Sequence, residues 1–270
     1  MSQNETLLDE LIIFLENERE MYGPFSVSTD IKLKETPAVS DEQGKRGAGS
    51  QISQPQQTES NPAAESSAEQ DPEPLSLEQK LKQCETLEEL KVLCRESDQL
   101  KTDLEGTNLV FGTGNPAADL MVIGEAPGYN EDQQGEPFVG AAGQLLNKIL
   151  KAIEFEREDI YIANILKHRP PDNRNPLPEE RKRSLPFLER QIDLIAPKVI
   201  LCVGKISGTT LLGKDEALKN MRGQFYDYLG AKLTVTYHPA ALLRNPKWKR
   251  QVWVDVQEVR KKYDELGGTP

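Results

Sequence analysis

The segment at residues 121–150, MVIGEAPGYNEDQQGEPFVGAAGQLLNKIL, decides the fold of this chain. With Leu120 before it, its first residues form a short apolar run, which is typical of a buried parallel strand. Gly124 and Gly128 bracket a Glu-Ala-Pro turn, so we expect the strand to end in a tight loop that leads into a helix. Because open α/β sheets bind ligands at the carboxyl ends of their strands, this loop is a candidate functional site.

The rest of the chain continues the alternation of strands and helices. Short apolar runs predict four strands, at residues 120–123, 160–165, 199–203 and 233–236. Amphipathic patterns predict helices at residues 141–153, 178–195 (with a kink at Pro186), 205–212 and 247–266. We therefore predict an α/β fold: a three-layer α/β/α sandwich around a mainly parallel, four-stranded central sheet.

The charge of the chain is unevenly distributed. The whole sequence has a net charge of −11, which by itself argues against a nucleic-acid partner. Residues 107–270, however, contain 23 Lys and Arg against 21 Asp and Glu, a net of +2. Residues 1–106 contain the other 10 Lys and Arg and 23 Asp and Glu, a net of −13. The acidic excess lies before the predicted sheet, so the total charge does not exclude DNA as a partner.

Three segments are expected from composition and periodicity. Residues 1–24 predict an amphipathic N-terminal helix, which packs on its own domain or on a copy of itself, or docks on a protein partner. Residues 25–75 are rich in Ser, Glu, Gln, Pro and Ala and predict a disordered acidic linker. Residues 76–270 form the α/β domain, which we expect to begin with a single helix over residues 76–96.

Cysteine usage and hydropathy point to an intracellular chain. Cys84, Cys94 and Cys202 are too few and too odd in number for a disulfide framework. The sequence shows no export leader and no apolar run long enough to cross a bilayer. We therefore expect a cytoplasmic protein, monomeric and without membrane association.

Polar residues with catalytic potential follow three of the predicted strands. They are Glu125 in the first loop, Asn164 at the end of the second strand, and His238 after the last strand. Loops at the carboxyl ends of parallel strands share one edge of a sheet, so these side chains should converge. Taken alone, an Asn at a strand end is more often a turn former, and a lone His is often structural. An amide beside a stacking ring such as Phe138 can nevertheless recognise the edge of a pyrimidine.

Three motifs in order resemble those of the family 4 uracil-DNA glycosylases. They are GEAPGYNEDQQGEPFVGAAGQLL (residues 124–146), NILKHRPPDNRNP (residues 164–176) and TYHPAALLRNP (residues 236–246). The resemblance covers roughly residues 107–255. It implies an enzyme that flips deoxyuridine out of DNA and hydrolyses its N-glycosidic bond, as in base excision repair.

The resemblance also implies roles for individual residues. Asn164 would read uracil, Phe138 would stack on it, and His238 would stabilise the leaving base. Ala126 lines the pocket at a position where related uracil glycosylases of other families carry an Asp that orients water. Glu125 and Glu131 are then the candidates for handling water and offsetting charge on the sugar, with help from Asn173, and which carboxylate handles the water stays open.

DNA contacts are expected from basic residues and an apolar wedge. Arg169 and Arg174 belong to a Pro-rich loop between two predicted elements. Leu242 or Leu243 would fill the space left by the flipped base, beside two further basic residues, Arg244 and Lys247.

The chain departs from the family at its metal site. Family 4 members typically hold a four-iron cluster on four cysteines, and the matching positions here are Ser97, Leu100, His168 and Ser184. Cys84 and Cys94 are expected too far apart on one helix to replace the missing pair. We therefore predict no cofactor and no metal.

The function indicated is that of a uracil-DNA glycosylase with uracil-containing DNA as its partner. Two alternatives remain open: a non-catalytic module that binds uracil or damaged DNA, and a glycosylase that acts on other deaminated bases.

Overall fold

The computed structural model describes residues 75–269. The predicted N-terminal helix over residues 1–24 and nearly all of the predicted linker over residues 25–75 lie outside the described residues. The described part begins one residue before Ser76, which caps the first helix through a side-chain bond to the Gln79 amide.

A six-stranded sheet forms the centre of this part of the chain. Its strands are β1 (Thr113–Gly114), β2 (Leu120–Gly124), β3 (Tyr161–Asn164), β4 (Val199–Val203), β5 (Tyr226–Tyr228) and β6 (Ala231–Thr236). Their order is β1-β3-β2-β4-β6-β5. The four inner strands pair in parallel, as predicted, whereas β1 and β5 are antiparallel to their neighbours. The prediction of four strands missed these two edges because strands of two and three residues carry no apolar run.

Nine α-helices surround the sheet within the described residues. They are α1 (Leu77–Gln83), α2 (Leu87–Glu96), α3 (Tyr129–Gln134), α4 (Ala141–Lys151), α5 (Pro178–Ile195), α6 (Lys205–Leu212), α7 (Leu218–Met221), α8 (Pro239–Arg244) and α9 (Lys249–Glu265). The four long helices predicted beyond the first strand correspond to α4, α5, α6 and α9. α5 is one helix that continues through Pro186. No helix in residues 75–269 is both long and apolar enough to cross a membrane.

Helices cover both faces of the sheet. On one face α5, α6 and α7 pack Leu188, Leu211 and Met221 against strand residues such as Ile123 and Ile200. On the other face α9 lies against β4 and β6 and also contacts α4. Residues of both phases of the inner strands are buried, which is why these strands are apolar throughout. The predicted three-layer α/β/α sandwich is confirmed.

The single helix predicted over residues 76–96 is wrong. Two helices, α1 and α2, are separated by Cys84, which ends the first one, and by Thr86, which starts the second. The Thr86 hydroxyl accepts the Glu89 amide, and the Glu89 carboxylate accepts the Thr86 amide. This reciprocal cap satisfies donors that a continuous helix would have bonded internally, so it favours a new start at Thr86. Both helices pack against α5 through a small apolar cluster that includes Leu90 and Phe187.

The strand order places a crevice between β2 and β4. The chain leaves β2 towards β3 on one side, and leaves β4 towards β6 on the other. Such a change of direction opens a gap at the carboxyl ends of the two central strands, where α/β proteins bind ligands. The two loops at this point begin with Glu125 and Gly204.

Candidate active site

Glycines at the ends of the two central strands lie beside side chains that come from the neighbouring strands β3 and β6. A β-carbon at Gly124, the last residue of β2, would collide with the Asn164 side chain from β3 and with the Phe138 ring. A β-carbon at Gly204, just after β4, would lie 3.4 Å from the β-carbon of His238, which follows β6. Gly204 also has φ +108°, a conformation that favours glycine. Side chains from β3 and β6 therefore reach inward over the crevice, as the strand topology predicted.

Asn164 carries an unused hydrogen-bond acceptor. The residue is 2% exposed, and its Oδ1 has no hydrogen-bond partner among the described residues. A buried amide oxygen without a partner is unfavourable by about 1–3 kcal/mol, so such an atom needs an explanation. A ligand that donates a hydrogen bond beside the Phe138 ring would supply the missing partner.

Phe138 is held in a strained backbone conformation. Its φ of +55° is uncommon for a residue with a side chain. The Arg157 guanidinium donates to the carbonyl oxygens of Pro137 and Phe138, and thereby fixes one side of this turn. A β-carbon at Gly143 in α4 would collide with the Phe138 carbonyl, so only glycine permits this close approach. The resulting turn brings the ring to 5.5 Å from the His238 ring, centroid to centroid, in a stacked arrangement.

Glu131 holds the other side of the same turn. Its Oε1 accepts hydrogen bonds from the amides of Val139 (3.0 Å) and Gly140 (2.9 Å). The neighbouring carboxylate of Asp132 is buried and accepts the Asn108 amide at 2.7 Å. The contacts of Glu131 therefore position the backbone that carries the Phe138 ring, which is a different task from the water handling expected of it.

His238 is neutral and has a defined tautomer. It caps α8, because its Nδ1 accepts the Ala240 amide at 3.1 Å. An acceptor at Nδ1 places the ring proton on Nε2, which leaves Nε2–H as a donor. Burial, together with the nearby charge of Arg244, lowers the pKa of His238 to about 4, and the negative charge of Glu131 opposes the shift. The imidazole is thus a neutral hydrogen-bond donor at physiological pH.

Glu125 is the carboxylate whose environment fits acid–base work. Burial raises the pKa of its carboxyl to about 7, and the positive charge of Arg181 opposes the rise. Arg181, in the first turns of α5, is half-buried, and its NH1 donates to Thr210 Oγ1 at 3.3 Å. Ala126, the next residue after Glu125, is half-buried and packs against the apolar core beneath the loop.

A buried lysine supports the backbone of Asn164. Lys167 is fully buried, and its Nζ donates to the carbonyls of Asn164 (3.0 Å) and Phe111 (3.2 Å) and to the side-chain oxygen of Gln191. Burial lowers the pKa of Lys167 to about 8. Its three donors have three acceptors, so the network is satisfied and fixes the end of β3.

The Pro-rich loop after β3 holds the next group of predicted residues. Asn173 is exposed, and its Oδ1 accepts from Arg169 Nε at 2.7 Å. The Arg174 guanidinium binds both carboxylate oxygens of Glu180 (2.7 and 2.8 Å) and reaches Asp103 at 3.3 Å. Since Arg174 is already paired, it anchors the loop to α5 and is a poor candidate for the phosphate contact predicted for it. The contacts of Asn173 likewise tie it to Arg169 and give it no visible part in water handling.

The two candidates for the wedge both lie in the short helix α8 but differ in exposure. Leu242 is 1% exposed and belongs to the core, so the wedge role given to it does not fit its position. Leu243 is 45% exposed and points away from the core. Arg244 and Lys247 are also exposed, as expected for residues that contact phosphates. Of the two candidates named for the wedge, Leu243 is therefore the one whose side chain is accessible from solvent.

The residues at the family's cluster positions do not fit an iron–sulfur cluster. Leu100 and Ser184 are buried at 1% exposure, and Leu100 packs in the cluster of apolar side chains under α1 and α2. His168 is hydrogen-bonded through Nδ1 to Thr107 Oγ1 at 3.0 Å, and Ser97 ends α2. In residues 75–269 no group of three or more His, Cys, Asp or Glu side chains could hold a metal ion.

Several residues that shape the site were missed by the sequence analysis. Arg157 and Lys167 act on backbone carbonyls far away along the chain, and no local pattern indicates such contacts. Gly204 was not among the candidates for the site. Its position directly after an apolar strand that faces the crevice was the available signal.

Comparison with known proteins supports the α/β fold described above. The family model described as the uracil DNA glycosylase superfamily matches residues 111–257, more than half of the chain. The type-4 uracil-DNA glycosylase of Archaeoglobus fulgidus is 41% identical over 174 residues, covering 62% of this chain and 86% of its own length. The type-4 uracil-DNA glycosylase of Sulfurisphaera tokodaii is 42% identical, covering 61% and 77%. That of Thermotoga maritima is 41% identical, covering 58% and 84%.

Proposed function

We propose that this chain, which belongs to the uracil DNA glycosylase superfamily, is an enzyme that hydrolyses the N-glycosidic bond of deoxyuridine in DNA. The observation that carries the proposal is the unpartnered, buried Oδ1 of Asn164 beside the Phe138 ring. Flipping the nucleotide out of the helix would bring the base to this position. The products are free uracil and an abasic site, which is the first step of base excision repair.

Asn164 distinguishes uracil from cytosine by its donor and acceptor pattern. The N3–H of uracil donates to Oδ1, and the uracil O4 accepts from the side-chain NH2 group. Cytosine has an acceptor at N3 and a donor at N4, so both contacts would be mismatched. Phe138 provides the apolar surface for the base, and its strained turn, held by Glu131 and Arg157, fixes the position of the ring.

Cleavage requires charge stabilisation on both sides of the breaking bond. When the C1′–N1 bond breaks, its electron pair goes to uracil, and negative charge develops on N1 and O2. The Nε2–H of His238 donates to O2 and stabilises this charge, an effect commonly worth about 3–4 kcal/mol. The sugar becomes cationic at C1′ and is attacked by water. The carboxylate of Glu125 offsets the sugar cation and accepts the proton of that water.

DNA contacts and cellular context complete the proposal. Arg169, Arg244 and Lys247 contact phosphates, and Leu243 fills the space left by the flipped base. We further propose that the enzyme works in the cytoplasm as a monomer and without a cofactor. The N-terminal segment, residues 1–24, docks on a protein partner and is joined to the enzyme domain, residues 76–270, by a linker.

An excision assay separates this function from a binding role. The full-length chain is incubated with an oligonucleotide that contains one deoxyuridine, and alkali then cleaves the strand at any abasic site. The proposal expects strand cleavage at that position and none in the matched thymine strand. A retained complex in a gel shift without any abasic site would instead identify a binding module.

A further inference from the structure

An exposed aromatic side chain stands on the loop that carries Glu125. Tyr129, the first residue of α3, is 56% exposed, which is unusual for a large ring. It lies four residues after Glu125 on the loop that leaves β2. The catalytic chemistry described above does not use it.

The ring of Tyr129 is fixed by a cation from the neighbouring loop. The Arg169 guanidinium lies over one face of the ring, 5.1 Å from its centroid. Arg169 is itself held, because its Nε donates to Asn173 Oδ1 at 2.7 Å. Arg169 follows β3 and lies five residues after Asn164, so the pair joins the two loops that leave β2 and β3. The first loop begins at the crevice, and the second begins directly after Asn164, whose side chain reaches Gly124 there.

A fixed aromatic ring backed by an arginine suits the stacking of a nucleobase. One face of Tyr129 is covered by the guanidinium, and the exposure of the residue shows that much of the remaining surface is open to solvent. Proteins that bind single-stranded nucleic acid use such rings, since every base has a π-face, and each stacked base contributes substantially to affinity. The positive charge of Arg169 adds attraction to the adjacent phosphate.

We propose that Tyr129, supported by Arg169, stacks on the base that neighbours the flipped deoxyuridine in the same strand. This inference rests on the proposed function, because the deoxyuridine defines which base is the neighbour. Stacking at this position holds the strand after its pairing is lost, and so favours substrates whose flanking base is unpaired. It assigns a binding surface that is separate from the uracil pocket.

Two measurements test this surface. The first follows the fluorescence of 2-aminopurine placed on either side of 2′-fluorodeoxyuridine, whose electron-withdrawing fluorine disfavours the sugar cation and so slows cleavage. Stacking quenches 2-aminopurine, so the native protein should quench the probe on one side, and Tyr129→Ala should not. The second measures the protein concentration that gives half of the maximal single-turnover rate on a single-stranded deoxyuridine substrate. Tyr129→Ala should raise this concentration about tenfold, with little change in the maximal rate.

Matched variants distinguish a specific loss of base stacking from a general loss of contact area on the protein surface. Tyr129→Trp should retain binding and quenching because it keeps an aromatic face, and Val254→Ala, which trims another exposed side chain on α9, should bind like the native chain. Native-like binding by Tyr129→Ala, or absence of quenching on both sides with the native protein, would overturn the inference. Failure of the proposed function gives a different result, since the native chain would then release no uracil from the single-stranded deoxyuridine substrate at any concentration.

Discussion

At the scale of single residues, the burial of the Glu125 carboxyl determines how the proposed reaction should depend on pH. Burial raises its pKa to about 7, whereas an exposed glutamate loses its proton near pH 4.3. The proposed role requires the ionised form. At pH 5 only about one molecule in a hundred carries that form, and above pH 8 nearly all do.

The single-turnover excision rate should therefore rise about tenfold per pH unit below pH 7 and level off above it. Glu125→Gln should lower the plateau and remove this rise, because the amide does not titrate. Glu258→Gln, an exposed charge change on α9, serves as the control and should leave the profile unchanged. A flat profile between pH 5 and pH 8 for the native chain would show that Glu125 does not act as a carboxylate.

At the scale of elements, the short helix α8 places two adjacent leucines in different environments. Leu242 is buried in the core, and Leu243 is exposed beside Arg244. The helix has only six residues, so its phase relative to the core could not be derived from a hydrophobic period. The sequence analysis accordingly identified the pair of candidates, and the fold distinguishes between them.

The two leucines should respond to truncation in different ways. Leu243→Gly should slow excision from duplex DNA at least tenfold and from single strands much less, because only the duplex leaves a gap to fill. Leu242→Ala should instead lower the free energy of unfolding by about 2–5 kcal/mol through the cavity it creates. Excision rates on both substrates and thermal unfolding of both variants are the measurements. Equal effects of Leu243→Gly on duplex and single strand would argue against a wedge.

At the scale of the whole molecule, the central sheet and its helices were predictable, but the supporting contacts were not. Apolar runs such as the one ending at Gly124 predict strands reliably, because both faces of these strands are buried. The break at Thr86 was also visible, because Thr-x-x-Glu is a capping pattern. Arg157 bonds to Pro137 and Phe138, and Lys167 bonds to Phe111 and Gln191, across 19 to 56 positions of sequence, and such contacts depend on the completed fold.

The distribution of charge predicts the effect of removing the front of the chain. Residues 1–75 contain 5 Lys and Arg against 15 Asp and Glu. Their deletion should leave the single-turnover excision rate within about twofold, because the motifs lie beyond them. It should also tighten DNA binding at low salt by removing repulsion between carboxylates and phosphates, and this difference should shrink as salt rises. A truncated chain that is folded but inactive would contradict the proposed division of roles.

Because residues 75–269 gather no set of ligands for an iron–sulfur cluster, we predict a colourless protein. Iron–sulfur clusters require thiolates, and burial raises the pKa of Cys94 to about 12 and that of Cys202 still further. Iron analysis and a visible spectrum of anaerobically purified protein should show less than one iron per chain. A brown protein with about four irons would mean that the segment around Ser97 and His168 adopts another arrangement.

The most direct test of the central claim identifies which base the chain releases. Oligonucleotides carrying one deoxyuridine, one deoxycytidine or one hypoxanthine are incubated with the full-length chain, and the freed bases are identified by mass spectrometry. We predict release of uracil alone, a loss of at least a hundredfold with Asn164→Ala or His238→Ala in folded protein, and a shift of Asn164→Asp away from uracil and towards cytosine. Preferential release of hypoxanthine, or native uracil release by either alanine variant, would contradict the assignment of this pocket.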